Sequence, residues 1–209
     1  QLKQEDIYPF CKDPLDMVQV NNIKNYLPNF DNFITNFLNE MNDLSASWEP
    51  DGKTTKGGFQ TNGKLFSNTS PNLKILQDII KKELETYKFK FADMDMQIIQ
   101  NWPNEISLAA WYVRLLKGGH QSSHIHPGGW VSGVFYLQTV PSPENQEGAI
   151  KFGLHGYDYP IKNEKYPVKI HQPVNGDLVL FPSSLFHETI PVKQELERCV
   201  IAFDLKKSL

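Results

Sequence analysis

Residues 176–205 read GDLVLFPSSLFHETIPVKQELERCVIAFDL. The apolar runs DLVLFP, LFHETIPV and RCVIAFDL are separated by Pro-Ser-Ser and by a polar stretch, which is the punctuation of consecutive β-strands. The same texture recurs upstream in ISLAAWYVRLL, SSHIH, WVSGVFYLQ, GAIKFGL and VKIHQ, so eight candidate strands follow one another from Ile106 onward. Short strands broken by Gly-Gly, Pro-Gly-Gly and Asn-Gly predict a double-sheet jelly roll or small barrel. Before about residue 100 the pattern is helical. Phe30, Phe33, Ile34, Phe37, Leu38 and Met41 lie on one face of a helix opened by the Asn/Asp-rich NFDN. A second helix is announced by Ser70-Pro71, a capping hydroxyl before a proline at the first helical position, and it aligns Leu73, Leu76, Ile80, Leu84 and Tyr87. Between the helices, residues 48–72 carry Gly-Gly, Asp-Gly and Asn-Gly with little periodicity and read as loop with a short hairpin. The expectation is a mainly β chain forming a single domain over 1–209, with 1–100 a helical support packed on one outer face of the β core at 101–209.

Composition sets the outer bounds. In 209 residues, 21 Lys and Arg stand against 24 Asp and Glu, a net charge of −3, and 40% of the chain is apolar. A chain of this size buries about 70% of its unfolded surface, so it needs no metal or disulfide merely to fold. The charge is nearly balanced and no basic block is present, which gives no electrostatic reason to expect nucleic acid or an anionic membrane as partner. Two cysteines, Cys11 and Cys199, make no disulfide framework, and the opening QLKQEDIYPF lacks the basic and apolar regions of a secretory leader. The expected setting is cytoplasmic. No apolar run approaches the length of a membrane span, and no pattern speaks to oligomeric state.

All six histidines lie after position 119. His124 and His126 are two apart on an expected strand, so both rings would project from one face, as two ligands of one metal require. Alone, H-x-H fits a polar strand face with two solvated imidazoles equally well. His187 follows Pro-Ser-Ser at the start of a strand, near a strand end or barrel mouth. If LFHETIPV and RCVIAFDL form a hairpin turning near Gln194, Arg198 lies three residues along from the position facing His187, about 10 Å at strand spacing. From there a guanidinium fork reaches the far carboxylate of a short dicarboxylate whose near end chelates a metal. The competing reading of Arg198 is a surface ion pair with a neighbouring glutamate. Alternation puts Val200 and Ala202 on the face of Arg198, the roomier one, and Ile201, Phe203 and Leu205 on the other.

Taken together, H-x-H, WVSGVFYLQ, GDLVLFPSSLFHETIPV and RCVIAF resemble the Fe(II)/2-oxoglutarate-dependent dioxygenase superfamily, and more narrowly the prolyl-hydroxylase-like oxygenases of marine bacteria and phages. The narrower resemblance runs from AAWYVRLLKGGHQSSHIHPGG to the C-terminus. It implies a double-stranded β-helix supported by N-terminal helices. It also implies an enzyme, a hydroxylase of a peptidyl or small-molecule C–H bond, that takes Fe(II), 2-oxoglutarate as cosubstrate and O2 and releases succinate and CO2. By resemblance, His124 and His187 are iron ligands, Arg198 binds the distal carboxylate of 2-oxoglutarate and Tyr136 adds a hydrogen bond to it.

One position departs from the usual pattern. Most of the superfamily has H-x-D, a facial triad of two histidines and one carboxylate; here the carboxylate position is His126. Three neutral imidazoles leave the centre one negative charge short. In a second register His126 is the first ligand and Gly128 marks a vacant carboxylate position. A different class also fits the histidines, a non-redox cupin-type jelly roll holding a metal through three imidazoles, but a cupin has no reason to place an arginine so far from its metal. A third reading is an interaction protein that has kept the fold and lost turnover, with side chains filling the pocket. Among the remaining residues, His120 is a candidate for the rim, His155 for a loop bordering the pocket and Trp130 for its entrance, whereas His171 reads as exposed or packed. The substrate is not legible, because specificity lies in loops such as 51–72 and 139–166.

Overall fold

The computed structural model describes residues 9–142, 144–157, 159–161 and 166–207. Residues 1–8, which carry most of the reading of the chain's opening, and part of the 139–166 loop lie outside them. In chain order the elements are β1 (Gln19–Asn22), α1 (Phe30–Asn42), β2 (Ser47–Trp48), β3 (Thr55–Gln60), α2 (Pro71–Lys90), α3 (Gln97–Gln100), β4 (Ile106–Gln121), β5 (Val131–Gln138), β6 (Ile150–Gly153), β7 (Val168–His171), β8 (Asp177–Pro182), β9 (Phe186–Thr189) and β10 (Arg198–Lys207). They form a seven-stranded sheet in the order β1-β8-β5-β10-β4-β3-β2 and a three-stranded sheet in the order β7-β6-β9. The expected jelly roll is present, and its strands pair antiparallel throughout the two sheets.

Strand alternation sorts the apolar side chains into two cores. On the outer face of the large sheet, Phe135 and Leu137 of β5, Leu178 and Leu180 of β8, and Ile201, Phe203 and Leu205 of β10 pack under the helices. Ile34, Phe37 and Met41 of α1 and Leu73, Leu76, Ile80, Leu84 and Tyr87 of α2 cover them. Between the sheets, Val113 and Leu115 of β4, Val134 and Tyr136 of β5, Val179 and Phe181 of β8 and Val200 of β10 meet Ile150 and Phe152 of β6. β8 is buried at all six positions because both of its faces are covered.

The helices begin where the sequence places them, with unequal caps. Ser70 Oγ accepts from the Leu73 amide at 3.3 Å and Pro71 fills the first helical position, whereas Asn29 precedes α1 without a side-chain cap.

Three expectations need correction. The supporting region is not purely helical: β1 joins the edge of the large sheet against β8, and the β2–β3 hairpin extends the other edge through β4. SSHIH is not a regular strand. His124 makes an isolated bridge to His187, and His126 lies just before the turn at Pro127-Gly128. Finally, β9 and β10 are not a hairpin. β9 pairs with β6 in the small sheet while β10 is the centre of the large one. The connection crosses between sheets, with Val192 exchanging backbone hydrogen bonds with Gly118 and Gly119 of β4. β10 already has β4 and β5 on its two edges, so no edge remains for β9.

Phe37 is fully buried and stacks over Phe135 with ring centroids 6.3 Å apart, tying α1 to the sheet. Phe37→Ala should therefore destabilise the chain by about 3–5 kcal/mol, read as a lowered urea midpoint at unchanged slope.

Candidate metal and cosubstrate site

The space between the sheets narrows to a small cavity whose lining includes Trp111, His124, His126, His187, Arg198 and Ala202. His187 reaches it from β9, in register with Phe152 of β6. The backbone bridge, with amide–carbonyl bonds of 3.0 Å in both directions between residues 124 and 187, fastens His124 beside it. His126 is held from the other side, its amide donating to Ser183 O at 2.9 Å beyond the end of β8. Two separate anchors thus bring the rings together where the sequence expectation relied on one strand.

One donor nitrogen from each of His124, His126 and His187 lies within 4.8 Å of the others. Each Nδ1 is engaged elsewhere: that of His124 with Ser122 O at 2.7 Å, that of His126 with Asp204 Oδ1 at 2.5 Å, and that of His187 with Leu185 O at 3.0 Å. A ring that donates through Nδ1 keeps its Nε2 lone pair for a metal. The Nε2 atoms of His124 and His126 are 3.1 Å apart. Burial, reinforced by the neighbouring ring of His126, lowers the His124 pKa to about 4. Burial, followed by the rings of His124 and His126, also pushes His187 well below the usual histidine range. Both are uncharged bases at neutral pH, the form that binds a metal. The donor set fits a borderline divalent ion such as Fe(II).

Arg198 is 1% exposed, so the surface ion pair is ruled out; Glu197, next in sequence, pairs instead with Arg114 at 2.9 Å. The Arg198 side chain donates from Nε to Gly148 O at 2.9 Å and from Nη2 to Tyr136 Oη at 3.3 Å, and the guanidinium carbon sits 5.0 Å from the tyrosine ring centroid. Gly148 has φ +71°, a conformation that favours glycine and presents its carbonyl to Nε. Nη1 is buried without a hydrogen-bond partner, and among the described residues no carboxylate forms an ion pair with Arg198. A buried cation of this kind is costly unless an anion completes it. Tyr136 is fully buried, and its phenol pKa is raised by desolvation despite the adjacent guanidinium, so it remains a hydrogen-bonding hydroxyl.

The other candidates fall outside the cluster. His120 Nδ1 contacts Gly118 O, His155 Nε2 contacts Tyr159 O, and His171 Nε2 lies 2.9 Å from Asp177 Oδ2. Trp130 is not at the entrance: its indole donates to Ile98 O beneath the helices and its ring meets Phe10 edge-on. Trp111 takes a place by the cavity, 5.4 Å from the His126 ring. Glu188, beside His187, also lines the cavity and is held in an ion pair with Lys151 at 2.7 Å. Sequence reasoning missed Asp204, although alternation from Arg198 through Val200 and Ala202 leads to it.

Residues 109–204 match the family described as "Putative 2OG-Fe(II) oxygenase". No protein of curated function matches the chain. Among solved structures, a Pseudomonas putida prolyl-4-hydroxylase is similar at TM-score 0.61 and 15% identity, covering 92% of this chain and 93% of that one. HygX from Streptomyces hygroscopicus, with nickel and 2-oxoglutarate bound, is similar at TM-score 0.58 and 14% identity over 95% and 88%. A prolyl hydroxylase from Trichoplax adhaerens, in complex with a hypoxia inducible factor peptide, gives 0.57 and 14% over 91% and 83%. These likenesses establish the fold as that of a double-stranded β-helix with supporting helices.

The depressed histidines predict a pH signature in metal-free protein. The unfolded chain binds protons near pH 6.5, whereas folded His124 and His187 do not, so stability is full above pH 6.5 and declines as pH falls below it, the share of His124 being lost by about pH 4. Urea denaturation from pH 7.5 to 4 should show this decline, and His187→Ala should make it shallower.

Proposed function

We propose, from the match of residues 109–204 to the 2OG-Fe(II) oxygenase family, that His124, His126 and His187 hold the iron of such an enzyme and that Arg198 with Tyr136 holds the distal carboxylate of 2-oxoglutarate. The observation that carries the reading is Arg198: a buried guanidinium whose Nη1 has no hydrogen-bond partner and which, among the described residues, forms no ion pair with a carboxylate, facing the same cavity as the three clustered imidazoles. A dicarboxylate spanning that cavity would supply the missing anion at one end and chelate the metal at the other. The unpartnered cation also argues against the cupin reading, which gives such a charge no task.

The metal, 2-oxoglutarate and O2 together supply an oxidant for an unreactive C–H bond, with succinate and CO2 as coproducts. The protein's part is positional. Gly148 O and Tyr136 Oη fix the guanidinium plane, leaving Nη1 to meet a carboxylate oxygen. Val134, Ile150 and Phe181 join Trp111 and Ala202 around the cavity and keep water from the reacting centre. The substrate is a peptidyl or small-molecule C–H bond admitted beside Trp111, and the reaction is a hydroxylation. No described helix is long and apolar enough to cross a membrane. The free thiols of Cys11 and Cys199 accord with a reducing, cytoplasmic setting.

Anaerobic titration with Fe(II), with and without 2-oxoglutarate, should give one metal per chain and a visible charge-transfer band only when both are present. Alanine at His124, His126 or His187 should each weaken metal binding at least tenfold, whereas His171→Ala should leave it unchanged. Undiminished affinity in His124→Ala would instead support the register built on His126 and Gly128.

Arg198→Lys keeps the charge but loses the two-pronged geometry, so 2-oxoglutarate affinity should fall about tenfold, roughly 1.4 kcal/mol, at unchanged metal affinity. Calorimetry giving equal 2-oxoglutarate affinities in the two proteins would remove the case for this role.

A further inference from the structure

The three-histidine centre was expected to be one negative charge short. Asp204 changes that accounting. It lies on the inward face of β10, 6% exposed, with Oδ1 2.5 Å from His126 Nδ1. The same oxygen accepts from Ser132 Oγ at 2.7 Å, and Ser132 is its cross-strand partner on β5. Ser132 Oγ lies in turn 2.8 Å from Ser183 Oγ and 3.1 Å from His126 Nδ1. Among the described residues, His126 is the only basic side chain paired with Asp204; no lysine or arginine forms an ion pair with it. Gly129 closes over this group so tightly that a Cβ there would stand 2.5 Å from Ser183 Oγ and 3.3 Å from Asp204 Cγ.

We propose that Asp204 is a positioning residue that supplies, through the ring of His126, the negative charge that a carboxylate ligand supplies in an H-x-D centre. The inference rests on the three-histidine reading above. A carboxylate that accepts the Nδ1 proton holds the ring in one tautomer and orientation, frees Nε2 and raises its basicity. Three neutral imidazoles plus Asp204 carry the same net charge, −1, as two imidazoles plus a ligating carboxylate. The anion has moved outward by one ring. Fe(III) gains more from it than Fe(II), so Asp204 lowers the potential of the centre as well as tightening its hold on the metal. Ser132 and Ser183 keep the carboxylate aimed at His126.

Asp204→Asn tests this, because the amide oxygen can still accept from Ser132 and from His126 while the charge is gone. Calorimetry with Co(II) should show affinity reduced 10- to 100-fold, and the midpoint potential of the anaerobically loaded iron protein should rise. His126→Asp/Asp204→Asn, which moves the charge inward to the ligand position, should recover part of the lost affinity. His126→Asp alone sets two carboxylates against each other and should bind less well than the double variant. Parent-like Co(II) affinity and potential in Asp204→Asn would overturn the proposal while leaving the three-histidine reading in place. A parent chain that binds no Co(II), or a His187→Ala chain that binds it as the parent does, would remove that reading and the proposal with it. The potential keeps the test decisive if Asp204→Asn also lowers thermal stability, since a purely structural role would not move it.

Discussion

β10 is paired along most of its length on both edges, with β4 on one side and β5 on the other, and this double pairing decides where nearly every important side chain goes. Ile201, Phe203 and Leu205 face the helices and anchor α1 and α2 to the sheet. Arg198, Val200, Ala202 and Asp204 face the second sheet. With both edges occupied the strand cannot slip by one residue without exchanging these sets, which would put a guanidinium and a carboxylate into the apolar layer and several large side chains into the cavity. The register of one strand therefore specifies a core and a chemical site together.

The inward face of β10 places opposite charges near its two ends, six residues and roughly 20 Å of strand apart. Each is buried and would be costly if left uncompensated. Asp204 is compensated inside the protein by Ser132 and His126. Arg198 is compensated only in part, since Gly148 O and the face and hydroxyl of Tyr136 are neutral and Nη1 has no partner. In the proposed function, one end of the strand supports the histidine cluster and the other meets the carboxylate of the cosubstrate. On that proposal, this asymmetry is what separates the dicarboxylate reading from that of a jelly roll that simply holds a metal.

The small sheet contributes through its edges. β9 carries His187 next to β6 on one side and receives the His124 bridge on the other. Extending the sheet by a single bridge leaves the chain free to turn away at once, so His126 can reach Ser183, Ser132 and Asp204 on the large sheet. The three histidines are therefore held by both sheets, and the distance between the sheets, set by Ile150, Phe152 and Phe181 in the layer between them, fixes how closely the imidazoles approach.

Much of this was legible in the amino-acid sequence, because period and punctuation are local. The helical stripes from Phe30 and from Ser70-Pro71, the strand runs after Ile106, the H-x-H pair and the in-and-out alternation of RCVIAFDL all follow from the spacing of residues along one element. Pairing partners are not local. β1 and β3 are too short and polar to declare themselves and become strands because β8 and β4 offer them edges. The expected β9–β10 hairpin yields to a crossover because β10 already has two neighbours. That His124 and His126 converge on His187 was readable as a possibility; that they do so from two different anchors, with Asp204 behind one ring and, among the described residues, no carboxylate paired with Arg198, was not. Sequence determined which residues can carry the chemistry, since residue type and alternation are properties of the chain, and only the tertiary structure decided which charges are satisfied, since that depends on groups such as His126 and Asp204, 78 residues apart, being packed into contact.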